Sequence, residues 1–353
     1  MPCSANLIRR AVTPTWVGWA GMRCSACWGA ALFGVVLRAF DPKLRRLVAI
    51  KVLAPRLAAS VLARQRFARE ARAGAAIHNE HVVAFHDVGS FTDDWPYFVM
   101  EYVEGQSLEE KLERSGQLSL VEVLRIGQQV ARGLAAAHAH GLVHRDVKPA
   151  NNLLENGVER VKLTDFGLAR AVDSDLRLTQ SSTVAGTLEY MAPEQYRGEP
   201  VDHGADLFSL GTVLYQLCTG QSPFRAAAAP ATLKRVCEET PRSIRSINPS
   251  IPGWLEALIA KLHAKGPADR FGSAADVDDL LEKCLRYVHR PQDERNLPAE
   301  LVALAGANAK EGDMDPKLAE QLQRQNRLLK VGRLRRACCS SGWLVPRAWA
   351  SGC

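Results

Sequence analysis

The sequence predicts an α+β fold of two lobes, in which a small β-rich lobe comes first and a larger, mainly helical lobe follows. Short apolar stretches with the length of strands, such as 48–51 and 97–103, fall before about residue 103. Longer stretches with helical period, such as 119–140 and 254–264, fall after it. A chain of 353 residues can hold one such domain with a substantial core and extensions.

In the first lobe, the run Val48-Ala49-Ile50-Lys51 has the pattern of a buried strand that ends in a lysine. Residues 60–77 alternate apolar and charged positions with helical period and place Glu70 nineteen residues after Lys51. Residues 97–103 are apolar enough for a second buried strand.

The residues with the clearest chemistry follow in the second lobe. The stretch 144–151, HRDVKPAN, contains a carboxylate that can accept a hydroxyl proton, five residues before an amide that can hold a metal ion. Asp165-Phe166-Gly167 begins fourteen residues after Asn151 and adds a second carboxylate. Carboxylate and amide oxygens are the ligands that Mg²⁺ prefers. A reaction that positions phosphates and neutralises their charge needs this set.

These two motifs, H-R-D-x-x-x-x-N and then D-F-G, resemble the catalytic core of a protein kinase. Lys148, two residues after Asp146, resembles the serine/threonine-specific branch, and the run HRDVKPANNLL is similar to bacterial members of that branch. The resemblance implies a two-lobed protein-kinase-like fold that transfers the ATP γ-phosphate to Ser or Thr hydroxyls. Asp146 would take the hydroxyl proton, Lys148 would neutralise the γ-phosphate, and Asn151 and Asp165 would bind Mg²⁺, with Mn²⁺ as the alternative metal.

The same resemblance assigns the ATP pocket. Lys51 would bind the phosphates and pair with Glu70, and backbone groups of Glu101 and Val103 would hydrogen-bond adenine. The remaining ATP-binding assignments are Gly29, Gly34, Val36 and Ala49. The glycine-rich loop departs from the family because Ala31 stands where the middle glycine is expected, and the sequence predicts no strand before Gly29. Phe33 would lie at the tip of this loop.

Residues 186–194 resemble the segment that docks the protein substrate, and Thr187 would lie near Asp146 and Lys148. The resemblance also gives three buried charged residues structural roles. Arg270 would pair with Glu194, and Asp206 would brace the catalytic loop. Residues 178–187, which lie between the D-F-G and A-P-E motifs, contain a cluster of hydroxyls without an acid among them.

Bacterial relatives carry phosphorylated threonines eight and six residues before the threonine that corresponds to Thr187. Phosphate there would pair with Arg145 and order the segment. The predicted phosphorylation sites are therefore Thr179 and Ser181, with Ser182 and Thr183 as secondary sites. Self-association would allow phosphorylation in trans. A merely polar loop is the alternative.

The domain boundaries predicted from the sequence are 1–28 for an atypical N-terminal extension, 29–288 for the kinase domain and 289–353 for a polar linker and basic tail. Residues 1–40 and 321–353 together carry eleven Lys or Arg and no acid, so the net charge of +7 leaves −4 for the 280 residues between them. The basic character belongs to the ends, and this disfavours a nucleic-acid-binding domain. Their enrichment in Cys, Trp and Arg fits either translation in a wrong frame or an unusual extension.

The sequence predicts a cytoplasmic protein without a membrane-spanning segment. Residues 315–336 resemble a basic amphipathic helix, so peripheral contact with anionic lipid stays an alternative. Cys24-x-x-Cys27 lacks the second pair of ligands that a structural zinc site needs, and no zinc is expected.

Two functional classes follow for the whole chain. The first is an active serine/threonine kinase that uses ATP and acts on protein substrates. The second is a pseudokinase-like scaffold that binds ATP weakly because its glycine-rich loop is altered. The presence of every residue assigned to catalysis favours the first.

A smaller departure from the family is Asn152, where relatives usually have an apolar strand residue. This asparagine is expected to cost some stability and to have no catalytic role.

Overall fold

The first lobe is built on a six-stranded antiparallel sheet. The computed structural model describes residues 17–19, 22–31, 34–90, 96–156, 160–166 and 188–289. The strand order in the sheet is β1-β2-β3-β4-β6-β5. The strands are β1 (Val17–Trp19), β2 (Met22–Ala31), β3 (Gly34–Asp41), β4 (Arg46–Leu53), β5 (Phe85–Ser90) and β6 (Pro96–Glu101).

Strand β2 corrects the expectation that no strand precedes Gly29. It pairs antiparallel with β3, so that Gly29 lies opposite Val36 and Ala31 lies opposite Gly34. The segment has no alternation of apolar and polar residues that would predict a strand, but pairing with β3 satisfies its backbone groups. Leu32 and Phe33, which join the two strands, lie outside the described residues.

Helix α1 (Pro55–Ala58) is a single turn, and α2 (Val61–Ala75) covers one face of this sheet. The hydroxyl of Ser60 accepts a hydrogen bond from the backbone N–H of Ala63 and so caps the start of α2. Buried Phe67 of α2 packs on Phe98 of β6, with ring centroids 4.9 Å apart. The helix predicted over residues 60–77 is therefore present and carries Glu70 along the sheet.

The second lobe is helical around the long helix α4. Its helices are α3 (Leu108–Ser115), α4 (Leu120–Ala139), α5 (Pro193–Arg197), α6 (Gly204–Thr219), α7 (Ala229–Glu238), α8 (Gly253–Leu262) and α9 (Ala274–His289). Ser119 and Glu122 form a capping box at the start of α4. The apolar face of α4 packs between α6 and α9 and forms the core of this lobe. Within the described ranges, none of the helices has the length and apolar character that a membrane crossing needs.

A small three-stranded sheet lies between the lobes and positions the functional residues. It consists of β7 (Gly105–Ser107), β8 (Asn152–Glu155) and β9 (Arg160–Leu163), paired in that order and antiparallel. The 144–151 loop ends where β8 begins, and Asp165 follows two residues after β9. The backbone of Leu163 bonds with His81 and Val83 of the first lobe, at 2.8 and 3.0 Å. The two motifs are thereby joined to both lobes.

Candidate active site

The backbone of the loop 144–151 is held by Asp206 at the start of α6. The carboxylate of Asp206 is fully buried and accepts the N–H groups of His144 and Arg145 at 2.8 and 2.6 Å. It also lies 2.8 Å from Nε2 of His138 on α4. Arg145 has a φ of 63°, a left-handed conformation that costs a non-glycine residue free energy. Two bonds to one buried carboxylate stabilise this turn.

Asp146, the predicted proton acceptor, has two neighbours within the same loop. Its Oδ2 lies 2.8 Å from Nζ of Lys148 and accepts a 3.0 Å hydrogen bond from Nδ2 of Asn151. The same Nδ2 donates to the backbone carbonyl of Asp146 at 2.9 Å. Asn151 thus fixes both the main chain and the carboxylate of Asp146. The sequence places these three residues together, and the structure brings their polar atoms into contact.

The imidazole of His144 connects this loop to the strand that leads to Asp165. Nδ1 accepts the N–H of Asp146 at 3.3 Å, and Nε2 donates to the carbonyl of Thr164 at 3.0 Å. Burial lowers the pKa of His144 below its ordinary value, which keeps the ring neutral and its two nitrogens in these separate roles. Its ring also packs on Phe166, with centroids 4.6 Å apart.

Asp165 faces Lys51 across the cleft between the lobes. Nζ of Lys51 lies 2.6 Å from Oδ1 of Asp165, and Lys51 is only 4% exposed. Burial alone would raise the pKa of Asp165, but the ammonium of Lys51 more than offsets this effect and holds that pKa below its usual range. Asp165 has a φ of 61°, so its backbone is strained at this position. The side chain of Glu70, the predicted second partner of Lys51, lies outside the described residues.

The donor set at Asn151 and Asp165 fits a hard divalent cation. The amide nitrogen of Asn151 is used by Asp146, which leaves its oxygen as the ligand atom. Asp165 supplies a carboxylate. Within the described residues, no group of three or more His, Cys, Asp or Glu could hold a metal.

An apolar cluster lies at the junction of the lobes. Ala49 of β4, Met100 of β6 and Val103 are buried in one cluster, and partly buried Val36 of β3 packs against it. Leu153 of β8 packs against the same cluster from the second lobe. Sequence reasoning missed Leu153, because the run Asn152–Glu155 has no alternation of apolar and polar residues; only the structure shows that Leu154 is buried and Leu153 partly buried. Val36 and Leu153 thus bring partly buried apolar side chains from the two lobes to the same cluster.

The end of β6 is fixed by Glu101. Its N–H bonds to the carbonyl of Ala84 at 2.8 Å, and its carboxylate accepts Nζ of Lys162 at 2.9 Å. Lys162 lies on β9 and is 6% exposed. Sequence reasoning missed Lys162, because a single lysine in a short strand gives no sign of a partner 61 residues away. The pair joins the strand before Asp165 to the segment that links the lobes.

Below the loop, Glu194 and Arg270 form a buried bidentate ion pair. The two nitrogen–oxygen distances are 2.6 and 2.8 Å. Gln195, the next residue, donates from Nε2 to the carbonyl of Arg145 at 3.1 Å and accepts the N–H of Ala192 at 3.0 Å. Gln195 was also missed, since no pattern in the sequence linked it to the loop. It connects the docking segment to the left-handed turn at Arg145.

Two groups of predicted residues remain. Gly34 follows the hairpin tip, and an added Cβ there would meet the carbonyl oxygen of Val52 at 2.0 Å, so close strand approach requires glycine. Gly29 lies in β2. The other group lies outside the described residues and consists of Thr179, Ser181, Ser182, Thr183 and Thr187.

Comparison with known proteins identifies this arrangement. The family model described as protein kinase domain matches residues 27–291. The chain is 39% identical over 263 residues to the serine/threonine-protein kinase PknJ of Mycobacterium tuberculosis, covering 73% of this chain and 44% of PknJ. It is 39% identical over 251 residues to the serine/threonine-protein kinase PrkC of Bacillus subtilis, covering 71% and 38%. The chain therefore spans less than half the length of these curated relatives.

Among solved structures, the crystal structure of the Mycobacterium tuberculosis PknI kinase domain is similar, with a TM-score of 0.59 and 31% identity. The similarity covers 75% of this chain and 96% of the PknI chain. The β-sheet lobe, the helical lobe and the cleft between them have the same arrangement as in that fold. On the family match and these identities, the chain belongs to the protein kinase domain family, among relatives named as bacterial serine/threonine-protein kinases.

Proposed function

We propose that this chain transfers the γ-phosphate of ATP to serine or threonine hydroxyls of proteins. One observation carries the proposal. Lys51 of the first lobe meets Asp165 of the second at 2.6 Å, while Asp146 and Lys148 meet at 2.8 Å in a loop that His144 ties to Thr164. Phosphate-binding and proton-accepting groups are thus held on one continuous hydrogen-bonded frame.

The chemistry assigned to each group follows from its environment. Asp146 accepts the proton of the substrate hydroxyl, and Asn151 orients its carboxylate. Lys148 places its ammonium beside that carboxylate, where it stabilises the negative charge of the transferring group. Lys51 binds the phosphates of ATP. No observation favours the pseudokinase-like scaffold over this reading.

Membership of the protein kinase family implies ATP and a divalent metal ion. We infer that the metal is Mg²⁺, with Mn²⁺ as a functional replacement, because both accept carboxylate and amide oxygens. The bound ion would supply the positive charge that neutralises the phosphates of ATP. Asp165 and Asn151 would hold it, and adenine would lie against Val36, Ala49 and Leu153, with hydrogen bonds to the backbone of Glu101 and Val103.

The test is transfer of labelled γ-phosphate from ATP to a generic protein substrate by purified protein. We expect transfer with Mg²⁺ or Mn²⁺ and none after chelation. Asp146→Asn and Asp165→Ala should each abolish transfer. Asp279→Asn, an exposed acid on α9, is the matched control and should keep full activity. Undiminished transfer by either active-site variant would disprove the assignment.

We propose that activity is controlled by phosphorylation at Thr179 or Ser181, with Ser182 and Thr183 as secondary sites and Thr187 reserved for substrate docking. Arg145, which precedes Asp146, is the candidate partner for the phosphate. Mass spectrometry of active protein should find phosphate within residues 179–183. Full activity of a variant with all four hydroxyl residues changed to Ala would exclude this control.

The same modification gives a test of self-association. Active protein mixed with the Asp146→Asn variant should phosphorylate that variant at a rate that rises with total protein concentration. Phosphate on the active protein and none on the variant would mean that phosphorylation occurs within one chain. The mixed assay distinguishes a lack of self-association from a lack of activity, because phosphorylation of the active protein is measured in the same sample.

We infer that the kinase domain is residues 29–288 and that 1–28 and 289–353 flank it. The matched range 27–291 and the end of α9 at His289 support these bounds.

We also propose a cytoplasmic location, where ATP is available. Residues 315–336 lie outside the described part and are proposed to contact anionic lipid. Sedimentation with vesicles of phosphatidylserine, compared with neutral vesicles, tests that contact.

A further inference from the structure

The residue after Asn151 has a bond that the sequence did not predict. Nδ2 of Asn152 donates to the backbone carbonyl of Lys148 at 2.7 Å. Asn152 is completely buried, and its backbone begins β8, where it pairs with Leu163 of β9. The same carbonyl of Lys148 accepts the N–H of Asn151 at 3.0 Å. An apolar residue at this position would leave that carbonyl with the backbone bond alone.

This carboxamide is not explained by stability. Its Oδ1 is buried and has no hydrogen-bond partner among the described residues. A buried polar atom without a partner is unfavourable, and in native structures it calls for a specific reason. Valine or leucine would suit a buried strand position better. The other polar atom of the side chain, Nδ2, donates to the catalytic loop. This bond to the loop is therefore the reason for an asparagine at this position.

The bond acts on the residue that carries the ammonium beside Asp146. Lys148 has an extended backbone, with φ −154° and ψ 161°, and its Nζ reaches Oδ2 of Asp146 at 2.8 Å. The hydrogen bond from Asn152 on β8 holds the carbonyl of Lys148. Because the carbonyl is held, the direction in which the Lys148 side chain leaves the loop is fixed. Asn151 holds Asp146 in the same way, through the carbonyl of Asp146.

We propose that Asn152 is a positioning residue that holds Lys148 in the geometry needed for phosphoryl transfer. This inference rests on the proposed kinase function. Asn151 then fixes the proton acceptor Asp146. Asn152 fixes the backbone of Lys148, whose ammonium lies next to Asp146. The strand pairing of Asn152 with Leu163 also couples this geometry to the strand that leads to Asp165.

The test compares two substitutions that affect stability in opposite directions. Asn152→Val removes both the donor and the unpaired oxygen, so its Tm should equal or exceed that of the wild type. Asn152→Asp places a charged acceptor against the Lys148 carbonyl, so its Tm should fall. Both remove the donated hydrogen bond, and kcat should fall at least about fivefold in both, with the KM for ATP within about twofold.

Asn248→Val is the matched control. Asn248 is also buried and donates from Nδ2 to a backbone carbonyl, that of Cys218, at 2.8 Å, far from the loop in sequence. It should lower Tm and leave kcat unchanged. An Asn152→Val protein with wild-type kcat would overturn the proposal. Failure of that variant to fold would also overturn it, since the carboxamide would then serve stability.

A second measurement does not depend on kinase activity. Labelling of Lys148 by an amine-acetylating reagent, followed by mass spectrometry, reports how tightly Nζ is held against Asp146. Labelling should be several-fold faster in Asn152→Val than in wild type and unchanged in Asn248→Val. Equal rates in wild type and Asn152→Val would refute the positioning role even if no phosphoryl transfer were observed, whereas absent transfer alone would refute only the proposed function.

Discussion

Removal of one partner from the Glu194–Arg270 pair should be strongly destabilising. In Glu194→Ala the guanidinium of Arg270 stays buried, because that side chain is 0% exposed and is also bonded to the carbonyls of Gly204 and Ala264 at 2.8 and 2.9 Å. It loses two charge-assisted hydrogen bonds, of 2.6 and 2.8 Å, and the charge that balances it. Breaking a buried pair from one side costs about 3–5 kcal/mol.

The assay is urea unfolding followed by fluorescence. The midpoint should fall with little change in the slope, because the surface exposed on unfolding is nearly the same. For a domain of this size the loss corresponds to a decrease in Tm of about 6–20 °C. The double variant Glu194→Leu with Arg270→Met should be less destabilised than the sum of its single variants, because neither charge is then left without its partner.

The control is Glu239→Ala, which breaks an exposed pair with Arg235 whose side chains are 53% and 43% exposed. Such pairs contribute about 0–1 kcal/mol. A loss below about 1 kcal/mol in Glu194→Ala would refute the reasoning, since it would mean that the buried guanidinium is adequately solvated by backbone carbonyls alone.

Three further predictions concern other parts of the molecule. Burial lowers the pKa of His263 to about 3, so below pH 6.5 the unfolded chain binds a proton that the folded chain does not, and stability falls. His263→Gln should therefore reduce the loss of unfolding free energy between pH 7 and pH 5 by about 2 kcal/mol, measured by urea unfolding at both pH values. Gly34→Ala should lower Tm and raise the KM for ATP, because its Cβ would lie 2.0 Å from the carbonyl oxygen of Val52; an unchanged Tm would contradict this. Ala31→Gly should lower the KM for ATP by allowing the backbone closer to the phosphates, and an unchanged KM would show that the proposed loop register is wrong.

The sequence by itself determined the class of fold and the order of its elements. Helical period over 119–140 and 254–264 predicted the helices found at Leu120–Ala139 and Gly253–Leu262. The apolar run 97–103 predicted the strand Pro96–Glu101. These predictions succeed because periodicity and capping are local properties, which the chain carries wherever it folds. Motif spacing predicted the candidate catalytic set, because that chemistry requires particular residue types in a particular order.

Only the tertiary structure decided which side chains hold that set in place. Gln195 bonds to Arg145 from 50 residues away, and Lys162 bonds to Glu101 from 61 residues away. Strand β2 forms because β3 is available to pair with it, without an alternating pattern of its own. Even Asn152, four residues from Lys148, makes its bond because strand pairing turns its side chain toward the loop. A hydrogen bond depends on distance and angle in the folded chain, and residue type and local pattern do not specify either.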